Sequence, residues 1–534
     1  MSEDTVDVVI VGAGASGAAV AWNLAETKMH IVCLDQGPMP ESSQYPTNNK
    51  DWETRIQNEW THSPNHRKAP QDYPINDDNS PIKIVNWNGV GGGTVLYAGH
   101  MPRLLPSDFR VKTLDGVADD WPVDYDMLQP FFEENEKMMG VSGLEGDPAY
   151  PPGKKRVMPP VPLGKTGKKV GEACNELGWH WWPSDTAIAT EDYDGRSKCI
   201  NLGACLFGCA QGAKASTDIT YAQHAMRAGV EFRTGARVSQ VTTDDEGMAT
   251  GVLYFDNDGV EHHLKAHIVI VASNGVGTPR LLLNSKSKSH PDGLANSSGL
   301  VGKNLMLHPY SWVNGVFEEE LDGFRGSHKN VWSLEHYETK ADRGFVRGYL
   351  LESHRGAATV ETVMNGYGWG EIPWGEGHHD AVRALHNRTT SWVAVCEDLP
   401  ELHNTVTIDP ELVDSNGIPA PKIDYTLSEN SINMLNHSVE QIETILKTAG
   451  ATKTFKQVPI EYGGWHLLGT ARMGTDPASS VVNEWGRAHD VKNLFIVDGS
   501  IFVTSSGVNP TNTIQALALY ISDQIKQRLA NLFD

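Results

Sequence analysis

The 534-residue sequence predicts a mixed α/β fold, and three stretches carry that prediction. The first is an apolar run, Val6 to Val11, broken by Gly12-Ala13-Gly14-Ala15-Ser16-Gly17 and followed by a helical stretch, Ala18 to Glu26. The second is His267 to Ser273, which leads through Gly275-Val276-Gly277 into helical Arg280 to Ser285. The third, Asn493 to Gly499, ends in an acid and a glycine ahead of a closing helix, Thr513 to Leu529. Short apolar runs bounded by glycine and followed by helices read as buried parallel strands. Far apart in the chain, they predict one Rossmann-type sheet built from discontinuous segments. Residues 310 to 465 are mixed and rich in aromatics, the candidate substrate-binding part.

Each residue type in the first unit has a task. Gly12 permits the tight turn, Gly14 lets the backbone approach a pyrophosphate, and Gly17 lets helix and strand pack closely. Ala15 and Ser16 sit where a helix N-terminus offers free N–H groups to phosphates. A second strand, His30 to Leu34, ends in Asp35, 18 residues beyond Gly17 and followed by Gln36. An acid at that distance can accept hydrogen bonds from an adenosine ribose. The unit therefore binds FAD or NAD.

The chain then runs through a polar, proline-rich excursion, Gln36 to Asn86, into Asn88-Gly89-Val90-Gly91-Gly92-Gly93-Thr94-Val95-Leu96-Tyr97-Ala98-Gly99. Consecutive glycines allow close backbone approach to a planar ligand or a phosphate. Helix and turn signals cover Leu104 to Met139, and residues 150 to 165 read as an extended connector. Thr217 to Ala228 predicts a helix. Val230 to Thr234 and Val238 to Thr243 predict strands, and Gly251 to Leu264 a hairpin across Asn257-Asp258-Gly259. Further strands are predicted at Thr390 to Val395 and Thr405 to Asp409.

Composition limits the function classes. A net charge of −23 argues against nucleic acid and anionic membrane surfaces as partners. No apolar run approaches the ~20 residues a membrane span needs. Met1 to Thr5 lead straight into the first strand without a basic region or an apolar signal core, so a cytoplasmic chain is expected, with export beside a partner subunit as the alternative. Six cysteines in a chain of this size do not suggest a disulfide framework.

The N-terminal unit, the later IVIVASNGVGTPRLLLNS and the C-terminal FIVDGS…GVNPTNTIQALAL together resemble the glucose–methanol–choline (GMC) oxidoreductases over nearly the whole chain. The stretch Gly464-Trp465-His466-Leu467-Leu468-Gly469-Thr470-Ala471-Arg472-Met473-Gly474 and Asn509-Pro510-Thr511 make it most similar to the bacterial sugar and polyol dehydrogenases and the pyranose oxidases. The resemblance implies an FAD-binding domain from residues 1–110, 211–308 and 478–534. It also implies a substrate-binding domain with an antiparallel sheet from residues 111–210 and 309–477. Asp35 would bind the adenosine ribose. Gly91, Gly92, Gly93, Thr94, Tyr97 and Ala98 would lie along the flavin, with Val238, Ala272, Asp498, Gly499, Asn509 and Thr511 completing the cofactor site. Relatives that tether their flavin do so through a histidine in the segment matching residues 90 to 99. Leu96 stands at that position and His100 four residues on, so non-covalent FAD is expected.

Oxidising an alcohol removes a hydroxyl proton and a hydride from one carbon, so the protein must supply a base beside a flavin. Histidine, with an ordinary pKa of ~6.5, suits that task near neutral pH. The resemblance places His466 as the base and Asn509 as the second partner of the hydroxyl. His308, in Leu305-Met306-Leu307-His308-Pro309, reads as structural. His378-His379 lacks the surrounding ligand spacing of a zinc site.

Cys199, Cys205 and Cys209 form C-x5-C-x3-C. Some relatives carry an iron–sulfur cluster on a comparable stretch; buried free thiols are the favoured reading here and a cluster is the alternative. No metal site is expected elsewhere. The expected activity is oxidation of an alcohol group of a sugar, glycoside or polyol, with an amino-sugar or non-sugar alcohol as alternative. A non-redox lyase of the same fold and a flavin electron-relay subunit are the remaining classes. The tryptophans Trp179, Trp181, Trp182, Trp369 and Trp374 are candidates for stacking on sugar rings. Oxygen, a quinone or a redox protein could each accept the electrons, and a small partner subunit is an open expectation.

Overall fold

The structure is a computed structural model that describes residues 5–153 and 155–532; the expectation about the first residues of the chain falls on Met1 to Asp4, outside that range. The N-terminal unit forms β1 (Thr5–Val11), α1 (Ala15–Leu24) and β2 (Ile31–Asp35). There follow α2 (Tyr125–Met139), β3 (Glu231–Thr234), β4 (Arg237–Thr243), β5 (Ala249–Phe255), β6 (Glu261–Val271) and α3 (Asn274–Asn284). A second group comprises β7 (Tyr310–Val316), β8 (Val331–Ser333), β9 (Tyr349–His354), β10 (Thr389–Cys396), α4 (Glu429–Thr448) and β11 (Lys453–Gln457). The chain closes with β12 (Leu494–Ile496) and α5 (Thr511–Arg528).

The first sheet runs β3-β2-β1-β6-β5-β4, with β12 also on β6. The strands β3, β2, β1, β6 and β12 pair in parallel; the apolar runs Val8–Val11, Ile31–Leu34, Ile268–Val271 and Leu494–Ile496 are buried at the sheet's centre, and β3 is a half-exposed edge. The three distant stretches that read as parallel strands thus share one sheet. Val9 of β1 faces Val32 and Val269, while Phe495 faces Ile270. One boundary differs from the prediction. The second hairpin strand and the later sheet strand are a single strand, β6, whose first half pairs antiparallel with β5 and whose second half pairs parallel with β12. No turn residue separates them, so nothing breaks the strand. Helix α1 lies against α5, and a Cβ at Gly17 would overlap the Gly12 carbonyl, so only glycine lets α1 sit this close to the turn. The helix predicted from Thr217 begins only at Tyr221. Thr217 instead gives its backbone N–H to Thr94 Oγ1 and its hydroxyl to the carbonyls of Gly14 and Gly91.

The second sheet, β11-β7-β10-β9-β8 with a short edge at Trp182–Pro183, is antiparallel throughout. Period-two alternation splits its side chains. Val313, Leu351, Trp392 and Ala394 pack in a core with α4, while Tyr310, Trp312, Glu352, His354 and Val393 line a cavity between the two sheets. A three-stranded sheet joins Thr405–Val413, Pro419–Asp424 and Asn76–Asn79. Among the described residues, no helix is long and apolar enough to cross a membrane.

Candidate active site

One cavity of about 340 Å³ runs from the glycine turn after β1 to the cavity face of the second sheet. Of the residues predicted from sequence, Gly12, Gly14, Ala15, Ser16, Asp35, Gln36, Gly92, Gly93, Thr94, Tyr97, Ala98, Val238, Ala272, His466, Asp498, Gly499, Asn509 and Thr511 line it. Gly17 and Gly91 stand behind this wall, Gly91 donating its N–H to the Ala13 carbonyl.

At the nucleotide end, α1 begins after Gly14 with no side-chain cap and no acid in its first turn. Its first N–H groups are therefore free for an anion. A Cβ at Gly93 would stand in open space, where the glycine leaves room for a flat ligand. Asp35 accepts the N–H of Ala13 at 2.9 Å and of Gly37 at 2.9 Å, bracing the turn itself. Burial pushes its carboxyl up to about 6 against those two hydrogen bonds. Asp498 accepts from Thr278 Oγ1 at 2.6 Å and from the N–H of Ser500 at 2.8 Å. This end fits a dinucleotide through backbone donors and glycine-lined space.

At the other end, His466 and His308 face each other with their Nδ1 atoms 2.7 Å apart. His308 Nε2 lies 3.0 Å and 2.7 Å from the carbonyl oxygens of Ser505 and Ser506. A carbonyl only accepts, so His308 carries its proton on Nε2. Burial pushes the His308 ring down to about 4, so it is neutral and its Nδ1 is an acceptor. His466 must then donate from Nδ1, which leaves its Nε2 unprotonated, the form a base requires. Burial, and after it the neighbouring His308, push the His466 imidazole well below its ordinary range. Tyr310 Oη stands 3.1 Å from His466 Nδ1 and fixes the ring from the side.

Asn509 Oδ1 lies 2.8 Å from His100 Nδ1, which also stands 2.7 Å from Glu352 Oε2. Neither oxygen can donate, so His100 carries a proton on Nδ1; that N–H bonds Asn509 Oδ1, Glu352 Oε2 is a close charge contact, and the Asn509 amide nitrogen is left for the cavity. Glu352 Oε1 pairs with Lys329 Nζ at 2.6 Å, both side chains buried. Burial works against the Glu352 charge, but Lys329 and His100 outweigh it and hold the carboxyl at about 2.

Sequence reasoning did not find His308 as a site residue, nor Lys329, Glu352 and His354. His308 carried a signal, a buried histidine between Leu307 and Pro309. The other three are visible only once strand alternation is known. The proposed sugar-stacking tryptophans are corrected: Trp179, Trp181, Trp182, Trp369 and Trp374 are not among the lining residues, whereas Trp87, Trp312 and Trp465 are. Trp369 stacks on Phe455, and Trp374 is 89% exposed. Leu96 and His100 both line the cavity, His100 held by Asn509. The three clustered cysteines are free and only partly buried, so the expectation of buried thiols is too strong. Cys209 Sγ accepts the N–H of Lys214 and Cys199 Sγ that of Asn201. Among the described residues, no group of three or more His, Cys, Asp or Glu side chains is placed to hold a metal ion, so the cluster alternative has no support.

Comparison with known proteins agrees with this architecture. Two family models, each described as GMC oxidoreductase, match residues 6–310 and 400–518. The chain is 40% identical to a 2-methyl-1,2-propanediol dehydrogenase of Mycolicibacterium austroafricanum, covering 100% of this chain and 97% of that one. It is 30% identical to a paromamine 6'-oxidase of Streptomyces fradiae over 96% of this chain and 90% of the relative. It is 29% identical to a fructose dehydrogenase large subunit of Gluconobacter japonicus over 98% and 99%. Among solved structures, pyridoxine 4-oxidase from Mesorbium loti shares the fold, with a TM-score of 0.69 at 17% identity over 98% of this chain and 99% of that one. With a dinucleotide turn at one end of the cavity, a histidine pair at the other and both family models matched, the chain belongs to the GMC oxidoreductase family.

Proposed function

We propose that the protein oxidises an alcohol group of a polyol, sugar or related compound to a carbonyl, using non-covalently bound FAD. The observation that carries this reading is the joining of the dinucleotide turn and the His466/Asn509 pair in one cavity. In it, residues 1–110, 211–308 and 478–534 hold the cofactor, and residues 111–210 and 309–477 complete the substrate side. The free N–H groups at the start of α1 would take the pyrophosphate, and the Gly92–Thr94 turn would lie along the ring system. Asp35, Gln36, Val238 and Ala272 would line the adenosine end, and Asp498, Gly499 and Thr511 the ribityl-phosphate end. Leu96 supports a non-covalent cofactor, because its side chain has no atom that could form the tether. When bound, FAD supplies the hydride acceptor.

The chain's own residues handle the proton and the geometry. His466 Nε2, unprotonated, accepts the hydroxyl proton of the substrate. The Asn509 amide nitrogen donates to the hydroxyl oxygen and stabilises negative charge as it develops there. His308 holds His466 in the tautomer that makes this transfer feasible, Tyr310 packs against the His466 ring, and Trp465 packs edge-on against Tyr310. The names of the relatives include dehydrogenases and oxidases of a diol, an aminoglycoside and a sugar, which supports an alcohol as substrate. Two of the relatives are named as a large subunit and a flavoprotein of a dehydrogenase, which favours a partner protein as one acceptor class beside oxygen and quinone. The test is anaerobic mixing of the flavin-loaded protein with a panel of alcohols, polyols, sugars and amino-sugars. Bleaching of the flavin by one class is the expected result. A flavin that dithionite reduces and no alcohol bleaches would contradict the reading.

A further inference from the structure

The cavity wall opposite the nucleotide end holds a buried ion pair that the alcohol chemistry above does not use. Lys329 precedes β8 and Glu352 sits on β9; their 2.6 Å contact is a lining element of the same cavity as His466 and Asn509. Removing two charges from water is costly, and an ion pair repays that cost only when its remaining donors and acceptors are satisfied. Here they are not. Among the described residues, Lys329 Nζ has one acceptor, Glu352 Oε1, and so two N–H groups to spare. Glu352 Oε2 stands near His100 Nδ1, but that N–H serves Asn509, and Oε2 has no hydrogen-bond partner. A spare donor and a spare acceptor therefore stand side by side.

A hydroxyl group donates and accepts at once, and so matches this pair as no single charge or apolar group does. The pair is also close to the catalytic end, since His100 Nδ1 touches both Asn509 Oδ1 and Glu352 Oε2. We propose that Lys329 and Glu352 form a specificity subsite for a second hydroxyl on the carbon next to the one oxidised, so that the substrate is a vicinal diol. This rests on the alcohol-oxidoreductase reading of the same cavity. Trp312 and Val393 beside the pair supply apolar wall for the carbon skeleton.

Anaerobic stopped-flow reduction of the flavin by 1,2-propanediol and by 1-propanol tests it, since the two differ only in the second hydroxyl. The wild-type second-order rate constant for the diol should exceed that for 1-propanol by at least about 100-fold, because a site built to bond a hydroxyl rejects the analogue lacking it. A double variant, Lys329→Met with Glu352→Leu, removes both charges together and leaves no lone buried ion; its ratio should collapse to within about tenfold. Glu352→Gln, which keeps the shape, should lower the ratio through a weaker dissociation constant for the diol. A wild-type ratio near one, failure of the diol while another alcohol reduces the flavin, or an unchanged ratio in both variants would overturn the subsite. If no alcohol reduces the flavin and dithionite does, the alcohol reading itself falls and takes the subsite with it.

Discussion

His308 and His466 meet through their Nδ1 atoms at 2.7 Å, and the carbonyls of Ser505 and Ser506 decide which ring donates. The proton on His308 Nε2 forces the proton of His466 onto Nδ1. A residue that touches no substrate thereby sets the state of the proposed base.

Removal of that control has a defined consequence. His308→Phe keeps a buried ring but no Nδ1 acceptor, so both His466 tautomers become accessible. Flavin reduction should slow by at least about tenfold, within the ~10⁴-fold loss that follows when a histidine base is held in the wrong tautomer. His308→Gln, which can still accept, should recover part of the rate. Single-turnover reduction of both variants checks this, with flavin content confirming that the site is intact.

The pH profile follows from the same pair. Burial and His308 hold the His466 imidazole well below its ordinary range, so it is neutral across the neutral region. Protonation removes the base, so activity should fall only on the acid side, with an apparent pKa below the ~6.5 of free histidine. kcat/KM measured across the acid and neutral range, with buffers of constant ionic strength, reads the position of that limb. A limb at or above neutral pH would contradict the assignment.

The glycine turn makes a separate prediction. A methyl at Gly17 would overlap the Gly12 carbonyl and press on Ala272 Cβ, so Gly17→Ala must push α1 away from the turn. Overpacking of this kind costs about 1–3 kcal/mol. The variant should melt lower and be isolated with less flavin per protein, as read by differential scanning calorimetry and absorbance.

Arg347 anchors the loop that carries Asn509. Its guanidinium contacts Asp108 at 2.5 Å, Asp115 at 3.1 Å and Glu397 at 2.9 Å. Tyr337 Oη in turn bonds Asp108 and accepts the N–H of Gly507, two residues before Asn509. Arg347→Met strands buried carboxylates without their cation and should cost about 3–5 kcal/mol, since breaking a buried pair from one side is far worse than replacing both. Urea unfolding measures that loss. Lower activity at an unchanged flavin content would show the effect reaching Asn509.

The glycines, Asp35 and the three distant parallel strands were legible from sequence, because each is fixed by a local rule: a turn that only glycine permits, or an apolar run with no polar face. That His466 and Asn509 line the cavity was legible through motifs. Glu352 and His354 were not, since a glutamate and a histidine on a strand read as a solvent face until the sheet shows which alternate residues turn inward. Lys329 and His100 share that fate: their roles come from partners more than 20 residues away along the chain, a relation that tertiary contact alone defines. The tryptophans misled because an aromatic residue looks the same in sequence whether it lines a cavity or, like Trp374, stands in solvent.

The most direct test of the account compares the flavin-loaded wild type with His466→Ala in single-turnover, anaerobic reduction by the same alcohol. Loss of a general base costs on the order of 10²–10⁴ in rate. The account predicts a fall of that size with the flavin still bound and still reducible by dithionite. Reduction by His466→Ala at the wild-type rate would contradict it.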